Sequence, residues 1–173
     1  SGYSEWILRL PMVLSLAGFT LSIYYFLRKE IGRKAAVLLA FLFLTNGRVI
    51  IYESLHGLID IAFSWLIYTF FLVVYFCSKK GRYKALFLIS YTLLAIAYLM
   101  KGLPAIAFGG MTLLGWFAVK RNFRKLFSVW NFMGIGVFIL LVGGYYLLYM
   151  QRNSISFSEI FAVVFHESAQ RTP

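Results

Sequence analysis

Glu53, His56 and Asp60 stand three and four residues apart, so on a continuous helix their side chains would share one face. Two carboxylates and an imidazole at that spacing can hold a divalent cation. With Gly57 interrupting the stretch, the same residues also read as a polar loop whose last member, Asp60, caps the apolar run that follows. Asp60 carries more on its own: it sits at the mouth of a long apolar run, where an ionisable side chain is costly and tends to mark a site, which makes it the candidate catalytic carboxylate. Three cations accompany it: Lys101 in Lys101-Gly102-Leu103-Pro104, Arg48 in Thr45-Asn46-Gly47-Arg48, and Arg9 in Arg9-Leu10-Pro11. A tight turn explains Gly102 and Pro104 but not the lysine, which suits a point charge for a phosphate. Arg48 and Arg9 read equally as snorkelling anchors and as anion ligands. Pro11 suits the first turn of a helix that begins beside it.

The elements that must position these residues are apolar runs at 10–27, 35–51, 58–78, 85–100, 103–119 and 129–150. Hydrophobic residues make up 61% of the chain and charged residues 13%, with a mean hydropathy of +0.80; soluble domains carry roughly half apolar and a quarter charged residues. A water-soluble core cannot absorb that much apolar surface. Continuous runs of this length satisfy their backbone amides as helices in hydrocarbon, and they lack the alternation a barrel requires. The expectation is an all-α polytopic transmembrane bundle of about six spans over residues 1–151. Residues 152–173 should form an extracytoplasmic juxtamembrane segment. Within it Ser156 and Glu159 make a capping box, and Phe157, Ile160, Phe161, Val164 and Phe165 recur at helical spacing. That pattern predicts a short amphipathic helix on the outer membrane surface, or equally the first helix of a soluble domain.

Seventeen Lys and Arg against six Asp and Glu give a net charge of +11. In a soluble protein that excess would point to nucleic acid; in a membrane protein it reports orientation, and no nucleic-acid partner is expected. Arg28, Lys29, Arg33 and Lys34 join the first two runs, Lys79, Lys80, Arg82 and Lys84 the third and fourth, and Lys120, Arg121, Arg124 and Lys125 the fifth and sixth. These three turns should face the cytoplasm and need no function beyond topology. Of the acidic residues only Glu30 falls in such a turn; Glu5, Glu53, Asp60, Glu159, Glu167 and both histidines, His56 and His166, fall on the other side. His166 completes the candidate metal set with Glu53 and His56. Trp6, Tyr52, Tyr145, Tyr146 and Tyr149 near that boundary suit an aromatic belt. The single cysteine, Cys77, reads as a small buried apolar residue. No apolar core with a cleavage site opens the chain. Ser1 in place of a methionine, and a polar Arg171-Thr172-Pro173 end, lead us to expect a piece of something larger.

The order of these features resembles the GT-C class of polyprenyl-phosphate-dependent glycosyltransferases, especially the protein mannosyltransferase and lipid A aminoarabinose transferase superfamily. The features are Ser4-Glu5-Trp6-Ile7-Leu8-Arg9-Leu10-Pro11 before a span, a basic Gly-Arg-Lys turn, an Asp heading a later span, and Lys101-Gly102 at an outer turn. The resemblance covers nearly the whole chain. It implies a multi-spanning enzyme of a bacterial-type inner membrane that takes a sugar from a polyprenyl-phosphate carrier. The acceptor would be a lipid, a glycan or a protein on the extracytoplasmic face. It also implies that Asp60 matches the family's second acidic position and Lys101 its Lys-Gly turn near the carrier phosphate. His166 and Arg171 match the polar residues after the outer helix. The family's first span and the following loop, with the principal catalytic Asp, would precede Ser1, so these 173 residues alone are expected to be inactive. The chemistry agrees: displacing phosphate from an anomeric carbon needs cations for the leaving group, which Arg9, Arg48, Lys101 and Arg171 would supply. It also needs a carboxylate to activate the acceptor hydroxyl, a step in which Asp60 would assist, or Asp60 would help to hold a metal ion. A transporter or flippase for lipid-linked glycans is the alternative, but it should place charges at midplane and show repeats, which this chain does not. A non-catalytic membrane subunit is a third reading.

Overall fold

The computed structural model describes residues 5–47 and 60–153. Among them the chain is helical, with no strand: α1 (Glu5–Leu27), α2 (Arg33–Leu44), α3 (Asp60–Lys79), α4 (Tyr83–Lys101), α5 (Leu103–Val119), a single 3-10 turn at Phe123–Phe127, and α6 (Val129–Asn153). Each helix answers one of the six apolar runs in order. Three of them, α3, α4 and α6, are long and apolar enough to cross a membrane, whereas α5 and the Val13–Leu27 part of α1 are shorter apolar helices.

Two expectations change. The run at 35–51 does not continue as one helix: α2 has 12 residues, about 18 Å at 1.5 Å per residue, against roughly 30 Å of hydrocarbon. It stops where Thr45 folds its hydroxyl back onto the Phe41 carbonyl at 2.9 Å and Asn46 leaves helical geometry. Nor does Pro11 open α1, which starts at Glu5 and carries Pro11 inside it. Residues 5–10 contain no helix breaker, so the helix forms ahead of the proline. The missing amide forfeits one backbone bond, and the Ser15 hydroxyl donates to the Pro11 carbonyl at 2.8 Å.

The chain divides into two compact units, Ser1–Leu72 and Val73–Pro173. In the first, α1 and α2 pack as a hairpin, with Phe19, Ile23 and Ala40 in its core and Tyr24, Leu27, Phe43, Trp65 and Tyr68 against them. The ring of Phe19 lies 4.5 Å from that of Phe43 and 5.1 Å from that of Tyr68, centroid to centroid. Trp65 closes the cluster on Gly18, where an added Cβ would come within 2.5 Å of the indole. Its Nε1–H donates to Ser22 Oγ at 2.9 Å. The half-buried tryptophan thereby has its polar edge satisfied.

In the second unit α4 is the central element, packed along α6 and, through the Gly102 turn, on α5. Leu86, Phe87, Leu94, Ala95 and Ala97 of α4 meet a core completed by Ala105, Leu113 and Phe117 of α5. The Phe87 and Phe117 rings stack at 5.9 Å. Glycines let the backbones approach: Gly109 sits under Leu94 of α4, and Gly134 of α6 lies against the Tyr91 ring. The buried Asn131 accepts from the Tyr91 hydroxyl at 2.9 Å and donates to the Leu126 carbonyl at 2.7 Å.

Several hydroxyls inside the apolar helices are satisfied locally. Thr20, Ser22, Thr69, Thr92 and Thr112 each return the hydroxyl proton to the carbonyl four residues back. The opposite faces stay apolar and exposed, for example Phe132, Ile139, Leu140, Leu147 and Leu148 along α6. Water would penalise so continuous a patch; lipid acyl chains would not.

Candidate functional site

Asp60 is the first residue of α3, half-buried, with Lys79 at the far end of the same 20-residue helix. A carboxylate there is favoured by the partial positive charge of the helix N-terminus, and a lysine by the negative C-terminus. One helix thus holds opposite charges about 30 Å apart at its two ends.

Lys101 is the last residue of α4 and half-buried. It is set by the shortest connection among the described residues. Gly102 alone joins α4 to α5, donating its N–H to the Tyr98 carbonyl at 2.7 Å and accepting from the Ala105 N–H at 3.1 Å. Its φ of 72° and ψ of −137° belong to backbone space that side chains with a Cβ avoid. Pro104 then begins α5, where its missing N–H has no helical partner to lose. The tight turn inferred from Lys-Gly-Leu-Pro is present, and the lysine stands at its corner between α4 and α5. Replacing Gly102 with alanine is expected to destabilise the α4–α5 hairpin by about 1–3 kcal/mol, read as a lowered thermal midpoint in detergent. An unchanged midpoint would show that the turn relaxes easily.

Asp60 belongs to the first unit and Lys101 to the second. Arg9 lies on the second turn of α1, not at its start. Arg48, Glu53, His56, His166 and Arg171 lie outside the described residues, as do residues 156–165, for which an amphipathic helix is predicted. Among the described residues no three His, Cys, Asp or Glu side chains come together.

The lysine-rich ends are more organised than charge counting implies. In each of three helices the basic residue at the end lies over an aromatic ring one turn earlier: Arg28 over Tyr24 and Tyr25, Lys79 over Tyr75, and Lys120 over Trp116. Cation–π contact and snorkelling together hold such a head group at the water boundary. In the second unit Lys84 further lies 5.0 Å from the Trp130 ring and Lys125 4.7 Å from the Tyr83 ring, so the two basic turns are brought to one end. Trp116 is also tied to Ser78 by an indole hydrogen bond of 2.9 Å. The i, i+4 spacing of aromatic and basic residues was the available signal for the first three pairs. No sequence spacing indicates the last two.

Both turns end their preceding helices in the same way. Arg82 N–H reaches back to the Cys77 carbonyl around Gly81 at φ 67°, and Asn122 N–H to the Phe117 carbonyl around Arg121 at φ 49°. The closure is a Schellman motif, which favours glycine at its left-handed position. Arginine occupies that position in the second turn, so a cation stands where backbone preference alone would select glycine.

Compared with protein-family models, with curated proteins and with solved structures, the chain gives no match.

Proposed function

We propose that this chain is part of a membrane glycosyltransferase that moves a sugar from a polyprenyl-phosphate donor to a lipid, glycan or protein acceptor on the extracytoplasmic face. The supporting observation is placement: Asp60 opens a membrane-length helix and Lys101 closes another, each at the end remote from its helix's lysine-rich turn. With those turns in the cytoplasm, both residues fall on the outer side, where a lipid-linked sugar phosphate would present its head group.

In the reaction the bond from the anomeric carbon to the phosphate oxygen breaks, and the bonding electrons leave with the polyprenyl phosphate. The acceptor oxygen forms the new bond to that carbon and gives up its proton. Lys101, fixed at the Gly102 corner, would neutralise charge growing on the departing phosphate. Asp60 would accept a hydrogen bond from the acceptor hydroxyl and draw off its proton. Asp60→Asn keeps the shape and removes the base. In the full-length protein reconstituted with polyprenyl-phosphate sugar, it is expected to lower transfer about 100-fold, within the usual range for a general base, with expression unchanged. Wild-type transfer by this variant would remove Asp60 from the chemistry. Movement of the lipid-linked sugar across the bilayer without transfer to an acceptor would favour a flippase instead.

A further inference from the structure

The lysine-rich end of the second unit is strongly basic. Residues 80–158 contain no Asp or Glu, while Lys80, Arg82, Lys84, Lys120, Arg121, Arg124 and Lys125 gather in two turns at one end of this unit. Such a concentration of like charge attracts anions.

The two turns border an open hollow of about 730 Å³. Arg82, Lys84 and Lys125 stand around it, with Ser128 beside them and Tyr83 and Trp130 as walls. The rings hold two of the cations in place, Lys125 over Tyr83 and Lys84 over Trp130. Ser128 accepts the Trp130 backbone N–H at 3.3 Å, which leaves its hydroxyl proton to donate. The hollow is not polar throughout. Its remaining wall is the α4 face of Ala85, Leu88 and Ile89, which runs from the basic turn toward the middle of a membrane-length helix. A cationic mouth above an apolar trough, at the depth where a spanning helix leaves the membrane, matches an amphiphile with a phosphate at one end and hydrocarbon at the other. A soluble phosphate would leave the trough unused.

We propose that this hollow binds an anionic phospholipid of the cytoplasmic leaflet, its phosphate among Arg82, Lys84 and Lys125 and an acyl chain along Leu88 and Ile89. The inference rests on the membrane orientation and not on sugar transfer. Basic pockets between helices on the cytoplasmic side are a known way of holding such head groups. Three cations and no acidic side chain line the hollow, which makes an anionic lipid the fitting occupant over a zwitterionic one.

Trp130 supplies the test. The full-length protein is placed in phosphatidylcholine nanodiscs containing a minor fraction of brominated phosphatidylglycerol, or of brominated phosphatidylcholine as the neutral counterpart. Quenching that vanishes in Trp130→Phe reports the site. Brominated phosphatidylglycerol is expected to quench selectively, and the selectivity should fall as salt is raised. The double variant Lys84→Gln, Lys125→Gln should weaken apparent binding by about fivefold for each cation removed. Lys84→Arg with Lys125→Arg should retain it, which separates lost charge from lost fold. Equal quenching by the two lipids, or relief of quenching by inorganic phosphate at matched ionic strength, would overturn the proposal.

Discussion

Replacing Lys101 with alanine in the full-length protein is expected to reduce sugar transfer by about two to three orders of magnitude, the range for losing one group that stabilises developing oxygen charge. The loss should fall mainly on the rate at saturating donor, because the ammonium meets more charge on the departing phosphate than on the bound diester. Lys101→Arg keeps the charge but spreads it over a longer planar group and should recover only part of the rate. The size of the effect depends on how firmly the lysine is held. Gly102 at φ 72° is the whole connection to α5, and Pro104 starts the next helix at once, so the backbone beside Lys101 has little room to adjust. A full-rate Lys101→Ala protein would leave the lysine with the plainer role of complementing the negative end of α4.

Gly134→Ala should be the most damaging of the small substitutions, with a loss of about 3 kcal/mol or more from overpacking and a broken buried hydrogen bond combined. A methyl at this position would overlap the Tyr91 ring and come within 3.1 Å of the Phe87 carbonyl oxygen, which is main chain and cannot swing aside. The ring has little freedom either, because its hydroxyl is bonded to Asn131, a buried amide that also holds the Leu126 carbonyl. Moving Tyr91 therefore strands Asn131, and the strain passes along the α4–α6 seam. Reversible unfolding in mixed micelles reads the loss directly. Adding Tyr91→Ala should reduce the further cost of Gly134→Ala, since the ring that opposes the methyl is then gone. A neutral Gly134→Ala would mean that α4 and α6 separate without penalty.

The sequence and the folded chain agree where the controlling physics is local. A run such as 129–150 has nowhere to place its amides except in a helix, and α6 covers it. Lys101-Gly102-Leu103-Pro104 predicts a sharp turn because glycine and proline act on their own backbone, and the turn is there. Reading failed where local signals competed. Residues 35–51 are apolar enough for a span, but the polar Thr45-Asn46-Gly47 interrupts the run and α2 ends at Leu44. Pro11 marks a helix start by frequency, yet the residues ahead of it fold into helix regardless.

The basic turns show the division most clearly. Their composition is enough to predict that they share one side of a membrane, since that prediction needs only a count of lysine and arginine near each apolar run. It was not enough to show what they build. Lys125 meets Tyr83, and Lys84 meets Trp130, only because α4 and α6 pack together. Trp65 with Ser22 and Tyr91 with Asn131 are likewise pairs more than 39 residues apart in the chain. The one-dimensional string determined helicity, turn positions and the sign of charge at each helix end, because those depend on residues within a turn or two of each other. Which glycine admits which ring, and which cations close around one hollow, depends on the packing of separate helices, and only the tertiary structure decided it.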